Sequence, residues 1–206
     1  MTTRFKGRIS KLVREFGQSS TGVAAIEFAY IAPILMLLSF GTFEAARGVL
    51  MHKRFQRASA MVGNLVAREQ ALGTDQATAT AELNGIMNAA VAAMLPFSSS
   101  ALKIGVYSVH AHSTQANNTR VEWSFPFQGA TVLNKCNAGP TEANNLVSLG
   151  NSVIAVEAQY TYTPVLANLV PGFKTAMTWN DKLFNSPRNS CVNYAGQNCI
   201  LVCPGW

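Results

Sequence analysis

From Val23 to Ala46 the chain is almost wholly apolar, and Glu27 and Glu44 are its only charged residues there. As a helix rising about 1.5 Å per residue, the stretch reaches roughly 36 Å, enough for one membrane crossing with some tilt. A secretory signal would be cut near small residues such as Ala45-Ala46 and lost; a transmembrane helix would stay. The uncharged run from Phe28 to Phe43 is long for a signal core, and Glu27 stands where a signal should be apolar. Retention is therefore expected. With 206 residues in all, one modest domain beside this segment is what remains, which excludes a large multidomain enzyme.

The net charge of +6 is concentrated at one end. Residues 1–22 carry Arg4, Lys6, Arg8, Lys11 and Arg14 against Glu15 alone, whereas the rest of the chain is nearly balanced. The basic isoelectric point thus describes a tail, and no nucleic-acid partner is expected. Charge alone barely orients the segment, because Arg47, Lys53, Arg54 and Arg57 follow it. Cysteine usage decides: Cys136, Cys191, Cys199 and Cys203 all lie beyond the apolar run, as suits an oxidising side. The N-terminus is then cytoplasmic, with the remainder exported from a single-pass position in the inner membrane.

A carboxylate just inside a membrane helix costs about 2.5–3.5 kcal/mol on the gentlest scale and needs a reason. The local text is Gly22-Val23-Ala24-Ala25-Ile26-Glu27-Phe28, after a basic stretch. It resembles the processing site of type IV prepilins and their Flp/Tad relatives, in which a membrane peptidase cuts after the glycine. Glu27-Phe28-Ala29, Pro33, the run Ile34–Phe40, Gly41-Thr42-Phe43-Glu44 and Arg47 extend the resemblance to the TadE-like family over about residues 21–64. That resemblance implies a minor pseudopilin of the tight-adherence pilus, cleaved between Gly22 and Val23. The implied partners are a prepilin peptidase, other pilins and pseudopilins, inner-membrane Tad assembly proteins and membrane lipid. Cleavage would expose a cationic amine on Val23. Glu27, one helical turn on, can neutralise that amine or a neighbouring subunit's. Glu44 reads equally as an assembly carboxylate or as the interfacial partner of Arg47. Pro33 removes a backbone donor and should kink the helix.

The helix should continue past the membrane. Met51, Phe55, Ala58, Val62 and Leu65 form a heptad-type stripe too short to demand a coiled coil, so one helix from Val23 to about Gln70 is expected. Gly73-Thr74-Asp75 supplies a stop and a new N-cap. A second helix, with Leu83, Ile86, Met87, Ala90, Val91 and Met94 on one side, runs to Pro96, and Ser98–Ser100 is a connector. Beyond it the period becomes two. Val121, Trp123, Phe125 and Phe127 alternate with polar residues, as do Ile154, Val156, Ala158, Tyr160 and Tyr162. Weaker strands are Leu102–Val109 and Phe173–Trp179, and 128–150 reads as a long loop. The expected fold is α+β: a long N-terminal transmembrane and amphipathic helix, a second helix, then an antiparallel sheet of about four strands with one apolar face. The divisions are a basic leader (1–22), a helical region (23–70) and an exported domain (71–206).

No phosphate-binding loop, dinucleotide motif or nucleophile elbow is present. No catalysis, cofactor or metal is expected. His110 and His112 share a strand face but read as a solvated pair; the spacing of Cys191, Cys199 and Cys203 invites zinc with Cys136 as fourth ligand, but four cysteines in an exported domain more often make two disulfides. Three pairings are open. The competing function is an uncleaved single-pass envelope protein whose exported sheet binds a surface ligand.

Overall fold

Between Thr21 and Arg68 only Pro33 speaks against a helix, and in the computed structural model α1 (Thr21–Arg68) runs for 48 residues with Pro33 inside it. The structure describes residues 21–165, 176–199 and 203, so residues 1–20 of the expected leader (1–22) lie outside the described residues. The chain divides into two units, residues 1–46 and 47–206, and the division falls within α1. In the first unit the described helix is exposed almost throughout, Glu44 excepted. Its most apolar stretch has a mean hydropathy of 2.0 with nothing buried.

The second unit begins with the part of α1 that does bury a stripe. Met51, Phe55, Ala58 and Val62 are buried as expected, but the next member is Val66, with Leu65 only half-buried. A straight helix drifts about 20° per heptad, so the fixed 4-3 spacing slips by one position. Gly73, at φ +65°, follows the short strand β1 (Ala71–Leu72). Asp75 then caps α2 (Gln76–Ala93): its Oδ1 accepts from Thr78 N at 2.8 Å, while Thr78 Oγ1 accepts from Asp75 N at 3.1 Å. Leu83, Met87 and Ala90 face inward from α2.

The sheet holds β2 (Leu102–Ala111), β3 (Thr119–Phe127), β4 (Ser152–Tyr162) and β5 (Met177–Asn185), in the order β3-β2-β4-β5 and antiparallel throughout. Expected α+β architecture and observed architecture agree, with three local corrections. β5 continues to Asn185 rather than stopping at Trp179, because Asp181 and Lys182 sit on a half-exposed strand whose polar residues hide the alternation; residues 173–175 of the expected strand lie outside the described residues. The sheet also buries both faces. Phe55, Val62, Leu83, Met87, Ile104, Val106 and Val156 fill the helix side, while Tyr107, Val109, Val121 and Ala155 pack with Ala143, Leu133 and Val147 on the other. The stretch 128–150 is thus a cover carrying a 3₁₀ turn at Thr141–Asn145. Last, the alternation of β3 breaks. The register shifts between Ser108 and Val109, so Trp123 pairs with Ser108 and Val121 with Val109, leaving Glu122 as an extra residue. Val121 and Trp123 therefore face opposite sides.

Polar contacts fasten α1 to the sheet edge. Ser59 Oγ donates to Asp181 Oδ2 at 2.5 Å, and Asn185 Nδ2 donates to Asn64 Oδ1 at 3.1 Å. Helix and strand come so close that a Cβ at Gly63 would stand 2.3 Å from Asn185 Oδ1. At β1, Asn193–Tyr194 (β6) adds a parallel pairing that the sequence pattern did not announce.

The Asp75 cap has a pH signature. Backbone and side-chain hydrogen bonds from Thr78 hold its carboxyl below the ordinary 3.8. A depressed native value contributes stability that is complete above the unfolded value and lost as pH falls through the native one. Thermal melts of Asp75→Ala beside the native chain should show a clear gap at pH 6 that narrows progressively below about pH 4. A gap constant down to pH 2 would remove the ionised cap from the account.

Candidate functional site

Gly22 and Val23 stand in the first turn of α1, and Glu27 follows Val23 by four residues, about 6 Å along the axis. All three are exposed. Around them Phe28, Tyr30, Ile31 and Ile34 are exposed as well, so this half of the helix offers a continuous apolar surface with one carboxylate near its start. The N-terminus of a helix, with its unpaired backbone donors and dipole, favours negative charge, and Glu27 is the first carboxylate along α1. Glu44 differs: at 6% exposure it is the one buried side chain among the described residues 22–46. Arg47 places its guanidinium 5.9 Å from the centre of the Phe97 ring.

Residues 22–63 match the family model described as TadE-like protein. Over these residues α1 is similar to the TadE-like family. The match covers the exposed half of α1 and most of its buried stripe, about a fifth of the chain. No curated protein and no solved structure matches the chain.

Beyond the TadE-like helix the cysteines are paired, Cys136 with Cys203 and Cys191 with Cys199, which leaves no thiolate set for zinc. The first bond spans 67 residues and ties the C-terminal end to the cover over the sheet; the second closes a loop with a separation of 8.

The histidines are not the solvated pair expected. His112 lies just past the end of β2, where its Nδ1 faces the backbone amides of Thr114 and Gln115 at 3.1 Å. His110 turns inward to a cluster that the bulge creates. Glu122, 7% exposed, accepts from Ser108 Oγ at 2.5 Å and Ser152 Oγ at 3.0 Å, and His110 Nδ1 lies 3.3 Å from its other oxygen and 2.9 Å from Ser152 Oγ. Serine, histidine and glutamate together suggest a triad, but Ser152 and Glu122 meet the same ring nitrogen. Proton relay needs opposite nitrogens, so the cluster serves to lock β2, β3 and β4 across the bulge. Only the polar intrusion of Glu122 between Val121 and Trp123 hinted at it.

A cleft of about 350 Å³ opens nearby, lined by Gln76, Trp123, Lys135, Tyr194 and Gln197 among others. Its polar groups largely serve each other: Gln76 Nε2 donates to Tyr194 Oη at 2.7 Å, and Lys135 Nζ to Gln197 Oε1 at 3.4 Å.

The two disulfides should differ in worth. In the chain-entropy account, closing the longer loop stabilises by about 2 kcal/mol more than closing the shorter one. Replacing Cys136 and Cys203 by serine should therefore lower the denaturation midpoint more than replacing Cys191 and Cys199. Equal losses in urea titrations would contradict that ranking.

Proposed function

We propose that the protein is a minor pseudopilin acting in the assembly of a Tad/Flp pilus at the bacterial inner membrane. The observation that carries this reading is the TadE-like match over residues 22–63, which falls on a helix apolar enough to cross a membrane and bare along that half. In this reading residues 1–22 form a cytoplasmic leader, and a prepilin peptidase cuts between Gly22 and Val23. Residues 23–46 cross the membrane, and the disulfide-bonded remainder is exported. The apolar surface from Val23 onward is then shared with lipid before assembly and with the helices of other pilins or pseudopilins after it. Van der Waals packing can drive that exchange only where polar groups are also matched, since lipid tails are as apolar as the helix. Glu27 supplies the match. It meets the Val23 amine of its own chain or of a neighbour, which offsets the cost of a lone carboxylate at the membrane edge.

The alternative, an uncleaved single-pass envelope protein, has the 350 Å³ cleft beside the sheet as a ligand site. Mass spectrometry of the native N-terminus separates the two. The expected mature chain begins at Val23; a chain intact through residues 1–22, or cut near Ala46, would refute the pseudopilin reading.

Glu27 gives the sharper test. Glu27→Ala should still insert and still be largely cleaved, because the peptidase reads mainly the glycine and the apolar segment, yet it should abolish piliation. Glu27→Gln should also fail, since an amide restores a hydrogen bond without the charge. Pili counted by electron microscopy beside an immunoblot for processed chain give the answer. Wild-type numbers in either variant would make Glu27 a bystander.

A further inference from the structure

The cations after the apolar run have no part in the proposed processing or in pairing with Glu27. Arg47, Lys53, Arg54 and Arg57 stand on α1 with no acidic residue between Glu44 and Glu69, on the side where membrane proteins usually carry fewer positive charges. Two of them are engaged inside the second unit. Arg54 Nη1 donates to the carbonyls of Ala93 and Leu95, capping α2, and Arg47 lies over Phe97. Lys53 and Arg57 are exposed. They share a helix face with Leu50, at spacings of 3 and 4 residues, and Leu50 is also exposed.

The same end of the unit holds other exposed apolar groups. A Cβ at Gly48 would stand 3.7 Å from the Tyr162 ring, and Tyr162 pairs in register with Met177, so the ends of β4 and β5 lie beside the start of this unit. Met177 is 47% exposed. Leu95, held beside Arg54 through its carbonyl, is 63% exposed. Exposed apolar tips with lysine and arginine around one end of the unit suit the boundary between acyl chains and phosphates, where apolar groups enter the bilayer margin and cations stay at headgroup level.

Chain continuity names the occupant. If residues 23–46 cross the bilayer, Lys53 is about 10 Å and Arg57 about 16 Å of helix beyond Ala46, within reach of the headgroup layer. We propose that this end of the second unit, presenting Leu50, Lys53, Arg57, Leu95 and Met177, docks on the anionic phospholipid surface of the membrane that α1 crosses. The proposal rests on the membrane-span reading. Docking would hold the exported unit on the bilayer until assembly lifts it off, and each exposed cation should favour the docked state about fivefold on an anionic surface.

The full chain can be probed because its four cysteines are all paired, so one added thiol takes the label. A bimane is attached at Leu95→Cys, at Ser148→Cys near the far end of β4, or at Leu35→Cys within the span. Each is reconstituted at high dilution in phosphatidylcholine vesicles with or without phosphatidylglycerol, carrying nitroxide lipids quenching at headgroup or mid-bilayer depth. Docking predicts that headgroup nitroxides quench the label at position 95 well above that at 148, and more strongly with phosphatidylglycerol. Lys53→Gln with Arg57→Gln should remove most of that excess while leaving mid-bilayer quenching at position 35 intact. If position 35 is quenched and position 95 only as weakly as 148, the docking proposal fails and the membrane span stands. If position 35 escapes mid-bilayer quenching, both fail. Quenching at 95 that ignores phosphatidylglycerol and both substitutions, or that appears only when chains are crowded together, also overturns the proposal, the latter pointing to a protein partner on this surface.

Discussion

One long helix, α1, interrupted in its donor row at Pro33, carries two kinds of surface. In a bilayer no water is available for peptide groups, so a segment apolar enough to span one must close its hydrogen bonds within itself, and a helix does that. Where a helix instead meets water, an exposed apolar stripe is costly. The continuation of α1 changes from apolar all round to apolar on one stripe, and Met51, Phe55, Ala58, Val62 and Val66 bury that stripe against α2 and the sheet. Phe55 and Val62 are wholly inaccessible, so removing either would open a cavity in the larger of the two described cores. The sheet in turn needs this helix: one face of β2 and β4 is Ile104, Val106, Ile154 and Val156, which α1 and α2 together keep from water.

The C-terminal stretch closes what this helix-on-sheet packing leaves open. Arg188 N donates to the Ala67 carbonyl at 2.9 Å, Asn193 N to Gln70 at 3.1 Å and Ala195 N to Leu72 at 2.9 Å, so backbone groups at and after the end of α1 find partners far away in sequence. Such pairings bring together segments separated by more than a hundred residues and carry a high closure cost. The Cys136–Cys203 bond reduces it by shortening the unfolded chain's reach, and Cys191–Cys199 fixes the loop that presents β6. A unit of this size gains from such links stability beyond what its core supplies.

How much of this was legible depends on how local each signal is. The bare half of α1, the Asp75 cap and strands β2 and β4 follow from short-range rules of apolar run, capping residue and period, and each appears within a few residues of its expected bounds. Where two distant segments decide an outcome together, the sequence pattern was mute or misleading. Val121 looked like a partner of Trp123 because nothing in β3 says that Ser108 and Val109 will take up an extra residue opposite. The inward turn of His110 depends on that bulge, since a regular register would have left no position for Glu122 between the two serines. Likewise β5 lacks the alternation of β4 because one of its polar residues, Asp181, is bound to Ser59 on α1 rather than to water. The second apolar face of the sheet was hidden for the same reason: its cover, from Leu133 to Val147, is rich in asparagine and glycine and buries only a few side chains.

The TadE-like match stops at residue 63, and its end falls inside the buried stripe rather than at the membrane boundary. The matched segment therefore holds two kinds of position with separable consequences. Before Arg47 the side chains touch whatever surrounds the helix, and a change such as Glu27→Ala leaves every core contact in place. From Met51 to Val62 the side chains of Met51, Phe55, Ala58 and Val62 are core, and a change such as Phe55→Ala would act through the stability of the whole second unit, at a cost of about 3–5 kcal/mol. Loss of function at the first kind of position with an intact unit speaks of neighbours; at the second kind it speaks only of folding. Position 63, the last of the match, marks where the two kinds of constraint meet: its missing Cβ leaves the space that the side chains of Asn185 and Val156 occupy against α1.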